Sequence, residues 1–271
     1  PGSISISRGS TIVSVTEGSD TYYALPMAVL VTDASGKGLS GVPVTLSAWP
    51  SRWATGYWFE YEEDKCEPVF TCILYNEDDN RNGQMEPGED LNGDGMLTPP
   101  ATAAGSVPGT VTTGADGTAV FDLVYLKNSA AWIEDEITAS TLVFGTETRS
   151  TLTFWLPYLE DEQCDLPNSP YKTKSVLLPA VPDVLYADGE GQSAVTATVT
   201  KADGRPADDG EIVQFAVTSG RGSVSPTSAV TVNGVAETTY TVSRSIGTET
   251  VTAGIPGSPC AYDEVQITVS P

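Results

Sequence analysis

Residues 27–48 read MAVLVTDASGKGLSGVPVTLSA, and this stretch decides the fold. Runs of Val, Ala, Leu and Thr stand on both sides of a turn rich in Asp, Ser and Gly, which is the pattern of two β-strands and their connection. A similar stretch, AVTATVTKADGRPADDGEIVQFAV, occupies residues 194–217. The chain therefore contains an internal repeat, which predicts two copies of one β-domain.

Two further segments recur in the same order in both copies. They are VTTGADGTAVFDLVYL (111–126) with VTVNGVAETTYTVS (230–243), and ITASTLVFG (137–145) with VTAGIPGSP (251–259). Asp116-Gly117 and Asn233-Gly234 occupy the turn position and are typical hairpin dipeptides. The sequence thus predicts an all-β protein of two tandem immunoglobulin-like β-sandwiches, each with seven strands.

The first sandwich is expected to carry a long insertion between its third and fourth strands. We place the first domain at 1–157 with the insertion at about 50–105, a Pro-rich acidic linker at 158–174, and the second domain at 175–271. The sequence predicts no helix in any segment. The strands predicted in the first domain are 3–16 in two pieces, 22–32, 42–49, 107–113, 118–126, 137–144 and 147–156.

Composition limits the functions that are compatible with the chain. Its 271 residues carry a net charge of −23 and no His. This charge argues against nucleic acid, which is bound mainly through Lys and Arg, and against anionic membranes. The absence of His removes the usual general base and zinc ligand. No apolar run approaches the ~20 residues of a membrane span, and no signal peptide is present, so we expect a mature or excised segment.

The stretch NEDDNRNGQMEPGEDLNGDGMLTP (76–99) matches the EF-hand loop pattern. Asp78, Asn80 and Asn82 take the alternate oxygen-bearing positions, and Gly83 takes the turn. The carbonyl of Gln84 comes next, followed by Glu86, which often acts through water, and Glu89 as the closing bidentate carboxylate. We therefore predict a calcium ion held by Asp78, Asn80, Asn82, Gln84, Glu86 and Glu89.

A second loop begins immediately after the first. Asp90, Asn92, Asp94 and the carbonyl of Met96 repeat the spacing, but the twelfth position is Ala101, so the closing carboxylate must come from elsewhere. Glu77, Asp79 and Glu86 are candidates. We expect one or two calcium ions in the insertion.

Neither loop is flanked by an amphipathic helix, and Pro87 and Gly88 prevent a helix after the first. A calcium sensor that opens a helix pair is therefore not expected, and a fixed structural ion is favoured. In a seven-strand sandwich, the third connection lies at the end where the chain leaves the domain. We therefore expect the insertion to stiffen the junction with the second domain.

Four Cys with no C-x-x-C pair and no His indicate disulfides and an oxidising compartment. Of the three connectivities, we favour a Cys164–Cys260 bond across the domain junction and a Cys66–Cys72 bond within the insertion, although sequence alone leaves the choice open.

An aromatic group stands at the start of the insertion. Trp53, Tyr57 and Trp58 form either a small core beneath the insertion, which we favour, or a sugar-stacking platform.

The motif VTDASGKGLSGVPVTL (31–46), the D-G-x-A turn at Asp116–Ala119 and the closing strand resemble the bacterial Ig-like domains of the invasin and intimin group. The resemblance covers both halves outside the insertion. It implies rod-like tandem domains on a bacterial surface. The calcium insertion departs from the ordinary repeat of this group.

Two classes of function are weighed. The first is an extracellular, calcium-stabilised structural or adhesive module of a bacterial surface protein, which acts as a stalk or fibre subunit and can self-associate through Ser3–Val15 or contact neighbouring Ig-like domains. The second is a carbohydrate-binding module that uses Trp53, Tyr57 and Trp58. An enzyme is not expected, because no nucleophile, base or phosphate loop is recognisable. The surface ligand is not predicted.

Overall fold

The structure is a computed structural model that describes residues 2–17 and 20–271. It divides into two compact units, residues 1–84 with 97–171 and residues 85–96 with 172–271. In the part of the chain that the structure describes, helix is limited to three short 3-10 turns, at Ala101–Ala104, Lys127–Ser129 and Gln163–Asp165. The fold is all-β: two immunoglobulin-like β-sandwiches, as the sequence predicts.

The first unit has two sheets whose facing sides form one core. In one sheet, β1 and β2 pair with one edge of β3, and β7 pairs with the other edge. In the second sheet, the order is β9–β8–β4, and both β5 and β6 pair with the free edge of β4. The strands are β1 (Ser3–Arg8), β2 (Val13–Glu17), β3 (Asp20–Thr32), β4 (Pro43–Glu62), β5 (Lys65–Tyr75), β6 (Thr110–Thr112), β7 (Thr118–Leu126), β8 (Ile133–Val143) and β9 (Thr146–Trp155).

The second unit repeats this plan with shorter edge strands. One sheet has the order β10–β13–β17–β15, with β11 also on β13, and the other has the order β12–β19–β18–β14–β16. The strands are β10 (Ser175–Leu177), β11 (Ala180–Val181), β12 (Val184–Tyr186), β13 (Gln192–Thr200), β14 (Ile212–Val217), β15 (Ser223–Ser225), β16 (Ser228–Val230), β17 (Val235–Thr241), β18 (Gly247–Ile255) and β19 (Ser258–Ser270).

Each unit has its own hydrophobic core, built from alternate residues of facing strands. In the first, Tyr23, Leu123 and Ile137 are fully buried. In the second, Val195 and Ile267 are fully buried. The alternation of apolar and polar residues in the sequence is therefore the signal that sets both cores.

Both predicted turns form, but only Asn233-Gly234 is flanked by paired residues among those described, Val232 and Val235. Asp116-Gly117 is a turn between strands of different sheets, because β6 pairs with β4 and β7 pairs with β3, so it is not the predicted hairpin. Asn233 and Gly234 both have positive φ, at 52° and 76°, as a type I′ turn requires. At the other turn, Asp116 Oδ1 accepts a hydrogen bond from Thr118 N at 2.9 Å.

The insertion differs from the prediction in its first half. Residues 50–75 are not an irregular loop, because β4 continues through Glu62 and returns as β5. Their aromatic and β-branched side chains favour strand, and the hairpin extends the second sheet. The irregular part is limited to residues 76–100 and the 3-10 turn that follows.

The N-terminal segment forms two strands of the first unit. Ser3–Arg8 and Val13–Glu17 both pair with β3 of the same chain. Among the described residues, each pairs with β3 along one edge only, so strand addition to a neighbouring molecule through Ser3–Val15 stays a prediction.

Candidate metal centre

The first half of the first candidate loop lies in the first unit and folds around one carboxylate. Asp78 is 4% exposed; its Oδ1 accepts a hydrogen bond from Asn82 N at 2.9 Å, and its Oδ2 accepts one from Gly83 N at 2.8 Å. Asn80 Oδ1 also accepts from Asn82 N, at 3.0 Å, and Asn82 Oδ1 accepts from Gln84 N at 2.7 Å. Gly83 has a φ of +71°, which a residue with a Cβ rarely adopts. The chain therefore turns tightly around the predicted ligand side chains.

This half-loop is anchored to the sandwich by Asn76, which was not a predicted ligand, and by Glu77, which was a candidate ligand of the second ion. Asn76 Nδ2 donates to Pro50 O at 2.8 Å, while Asn76 Oδ1 accepts from Asp78 N at 2.9 Å. Glu77 is 2% exposed, and its Oε2 accepts from Thr98 N at 2.9 Å. A polar residue directly after a strand is the only sequence signal for such an anchor.

Arg81, a basic residue of the first loop, contacts side chains of the second sheet of the first unit. Arg81 Nη1 pairs with Glu136 Oε1 at 2.8 Å, and its guanidinium carbon lies 5.2 Å from the centroid of the Trp49 ring. The positive charge of Arg81, which lies within the acidic stretch, is therefore paired with Glu136 of the sheet.

The second candidate loop lies in the second unit and repeats the same bonding pattern. Asp90 Oδ1 accepts from Gly93 N at 2.7 Å and Asp90 Oδ2 accepts from Gly95 N at 3.1 Å. Asn92 Oδ1 accepts from Asp94 N at 2.9 Å, and Asp94 Oδ1 accepts from Met96 N at 2.8 Å. Just before it, Glu86 N donates to Glu89 Oε2 at 2.9 Å. Asp90, Asn92 and Asp94 thus each sit in a tight turn closed by their own side chain.

The second loop is held against the second sandwich by main-chain contacts. Ala202 N donates to Asn92 O at 3.0 Å, and Ser258 Oγ donates to Leu91 O at 3.5 Å. Residues 85–96, which were predicted to belong to the first domain, therefore pack within the second unit.

The donor types of both loops fit a hard cation. Every predicted ligand offers oxygen, and calcium takes six to eight oxygen ligands from carboxylates, amides and backbone carbonyls. Among the described residues, no three acidic or Cys side chains form a metal-binding group. A calcium ion here would therefore depend on amide and backbone oxygens as much as on carboxylates.

The disulfides are confirmed as a class, but the favoured pairing is wrong. Cys66 is bonded to Cys164, and the chain has no free Cys, with Cys72 and Cys260 also oxidised. Cys66 and Cys72 both lie on β5, where a rise of ~3.4 Å per residue separates them by about 20 Å. A disulfide needs Cα atoms within about 7 Å, so the small clip cannot form.

The sugar-platform reading of the aromatic group is corrected at two of its three residues. Trp53 is fully buried, and its Nε1 donates to Tyr75 O at 3.1 Å. Trp58 is half-buried and makes edge contacts with Trp132 and Tyr158, at centroid distances of 5.7 and 4.8 Å. Only Tyr57 is exposed, at 44%. Because successive side chains of a strand point to opposite faces of the sheet, Tyr57 and its neighbour Trp58 lie on different faces.

Comparison with known proteins assigns no family. No protein-family model matches the chain. No curated protein matches it either. None of the helices formed by the described residues is long and apolar enough to cross a membrane.

The solved structures that match the chain have low identity to it and low TM-scores. The D0–D1 domains of intimin are 14% identical, with 90% of each chain covered and a TM-score of 0.30. The adhesin InvE of Yersinia pseudotuberculosis is 12% identical, with 96% of this chain and 58% of that one covered and a TM-score of 0.31. A glycosyl hydrolase family 2 member from Bacteroides cellulosilyticus is 16% identical, with 92% and 23% covered and a TM-score of 0.33. At these values the neighbours do not assign a function.

Proposed function

We propose that the chain is a calcium-stabilised structural and adhesive module of a bacterial surface protein, which acts outside the cell as a rigid stalk or fibre subunit. The observation that carries the proposal is the bonding pattern shared by Asp78–Gln84 and Asp90–Met96. In both, an Asp carboxylate accepts hydrogen bonds from backbone N–H groups three to five residues further along the chain. Side-chain oxygens are thereby gathered around a tight turn, as in a calcium loop.

The ligand assignment follows the sequence positions. We assign the first ion to Asp78, Asn80, Asn82 and the Gln84 carbonyl, which are the predicted ligands of the first loop that belong to the first unit. We assign the second to Asp90, Asn92, Asp94 and the Met96 carbonyl. Calcium supplies positive charge to a chain with a net charge of −23, and it lowers the cost of holding these oxygens close together.

The extracellular location is supported by the oxidised cysteines. Disulfides persist in oxidising compartments and are rare in the cytosol. Calcium in the millimolar range outside cells would also fill sites of modest affinity.

The fibre role is supported by an open sheet edge. In the described part of the first unit, no strand pairs with the outer edge of β9, whereas β12 pairs with the equivalent strand β19 of the second unit. An unpaired edge is a template for strand addition from another chain.

Removing calcium should lower the melting temperature of the chain. Calcium at about 100 times its dissociation constant stabilises the folded state by ~2.7 kcal/mol, so EGTA should lower the melting temperature by about 5–10 °C. The measurement is thermal unfolding by circular dichroism in calcium, in EGTA, and in EGTA with excess magnesium.

A matched pair of variants makes this test specific. Asp78→Asn with Asp90→Asn keeps an acceptor oxygen at each turn but removes the charge, and EGTA should lower its melting temperature by much less than that of the parent chain. Asp116→Asn changes a turn carboxylate outside both loops and should respond to EGTA like the parent chain. A parent chain whose melting temperature is the same in calcium and EGTA would refute the calcium role.

A further inference from the structure

The hairpin formed by β4 and β5 carries an exposed row of aromatic side chains. Tyr57, Phe59 and Tyr61, here called the aromatic strip, are 44%, 49% and 56% exposed. Successive side chains of a strand point to opposite faces. Tyr57 and Phe59 therefore face away from the side on which Trp58 packs, and Tyr61 follows at a bulge of the same strand.

The rings of the strip are not used by cations of the chain itself. The four cation–π contacts among the described residues involve the rings of Tyr23, Trp49, Phe154 and Trp155. The faces of Tyr57, Phe59 and Tyr61 are thus open to a cation from another molecule.

The end of the same hairpin is strongly acidic. Lys65 is its one basic residue, and Lys65 Nζ already pairs with Glu62 Oε2 at 2.7 Å. Glu63, Asp64 and Glu67 are exposed and have no ion-pair partner among the described residues. Glu67 stands opposite Phe59 in the strand register, so unpaired negative charge lies beside the strip.

We propose that the aromatic strip and the acids Glu63, Asp64 and Glu67 form a docking surface for a Lys- and Arg-rich polypeptide segment. Guanidinium and ammonium groups are attracted to aromatic faces, and the attraction is strengthened where carboxylates flank the ring. A neutral sugar would stack on the same rings but would leave the three carboxylates uncompensated. Charge complementarity therefore selects a cationic polypeptide over a carbohydrate.

This surface is independent of the calcium loops. Its residues belong to β4, β5 and their turn, which are part of the sheet of the first unit. The inference therefore holds whether or not calcium binds.

The probe is a fluorescein-labelled oligoarginine peptide, and its binding to the full chain is measured by fluorescence anisotropy at physiological ionic strength with calcium present. Tyr57→Ser with Phe59→Ser should weaken binding about tenfold, because two cation–π contacts are lost. Glu63→Gln, Asp64→Asn and Glu67→Gln together should weaken it by a similar factor. Unchanged circular dichroism and melting would show that the variants are folded.

A charge-matched control separates this surface from the general acidity of the chain. Glu147→Gln, Glu190→Gln and Glu237→Gln remove three exposed carboxylates elsewhere and should change the affinity by less than about twofold. Equal losses in the two triple variants would overturn the proposal, since binding would then be non-specific. Failure of the peptide to bind, with binding of cello- or chito-oligosaccharides lost in Tyr57→Ser/Phe59→Ser, would overturn it in favour of a carbohydrate site.

Discussion

Replacing Asp135 with asparagine should stabilise the first unit at neutral pH and have almost no stabilising effect in acid. Asp135 lies on β8 and is completely buried, and neither carboxylate oxygen has a hydrogen-bond partner of normal geometry among the described residues. Burial raises the pKa of Asp135 to about 8, and the neighbouring main-chain amides of Trp49 and Glu136 offset only part of this effect.

The sign follows from proton linkage. In the unfolded chain the pKa of an Asp is ~3.9, so below about pH 4 both states are protonated and burial of Asp135 carries no ionisation cost. Between about pH 4 and pH 8 only the folded state holds the proton, and stability falls by ~1.4 kcal/mol per pH unit. At pH 7 the cost is on the order of 3–4 kcal/mol, and asparagine removes it.

The measurement is the difference in melting temperature between Asp135→Asn and the parent chain at several pH values and fixed calcium. We expect a gain of about 5–15 °C at pH 7 that shrinks towards zero at pH 4. Glu147→Gln, which removes an exposed carboxylate from the adjacent strand β9, should give no such pH-dependent difference. A gain of equal size at both pH values would show that Asp135 is not held protonated.

Loss of the Cys66–Cys164 bond should strongly destabilise the first unit. This disulfide joins β5 to the segment after β9 across 98 residues of sequence. In the chain-entropy model, closing a loop of about 100 residues lowers the conformational entropy of the unfolded state and so destabilises it by ~4.7 kcal/mol. Removal of a native disulfide commonly lowers the free energy of unfolding by about 2–5 kcal/mol. Cys66→Ser with Cys164→Ser should therefore lower the melting temperature by about 10 °C.

Peptide mapping under non-reducing conditions checks the pairing itself. The peptide that contains Cys66 should be linked to the peptide that contains Cys164, and the link should disappear in the double serine variant. A peptide linked through Cys66 and Cys72 would contradict the structure, as would a double variant that melts like the parent chain.

The alternating apolar residues of the repeats were sufficient to predict the sandwiches. Thr118–Leu126 is predicted and observed with the same limits, because its apolar residues alternate and a Gly turn precedes it. Local patterns were less informative at β8, where the predicted strand begins at Ile137 but the observed strand begins at Ile133. Glu134, Asp135 and Glu136 lie between these two positions, and three consecutive acids are typical of a solvent-exposed turn.

Two of the three acids of β8, Glu134 and Glu136, are compatible with a strand because of partners that are distant in sequence. Glu134 forms a forked ion pair with Arg52, and Glu136 pairs with Arg81. The Arg52 guanidinium lowers the pKa of Glu134, chiefly through this hydrogen bonding. No local pattern reveals pairs separated by 82 and 55 residues.

The candidate calcium loops were predicted from spacing alone, because the ligand positions are local. Their anchors were not, because Asn76 and Glu77 act through Pro50 and Thr98 in other segments. The disulfide was mispredicted for a related reason, since Cys66 and Cys72 are close in sequence but lie far apart along one extended strand.

Calcium titration of the EGTA-stripped chain by isothermal calorimetry tests the central claim most directly. We predict saturable binding of one or two ions per chain. Asp78→Asn with Asp90→Asn should weaken it at least about tenfold, through loss of two charged ligands, while Asp116→Asn should not alter it. A stripped chain that takes up no calcium, or a double variant that binds it as tightly as the parent, would contradict the account.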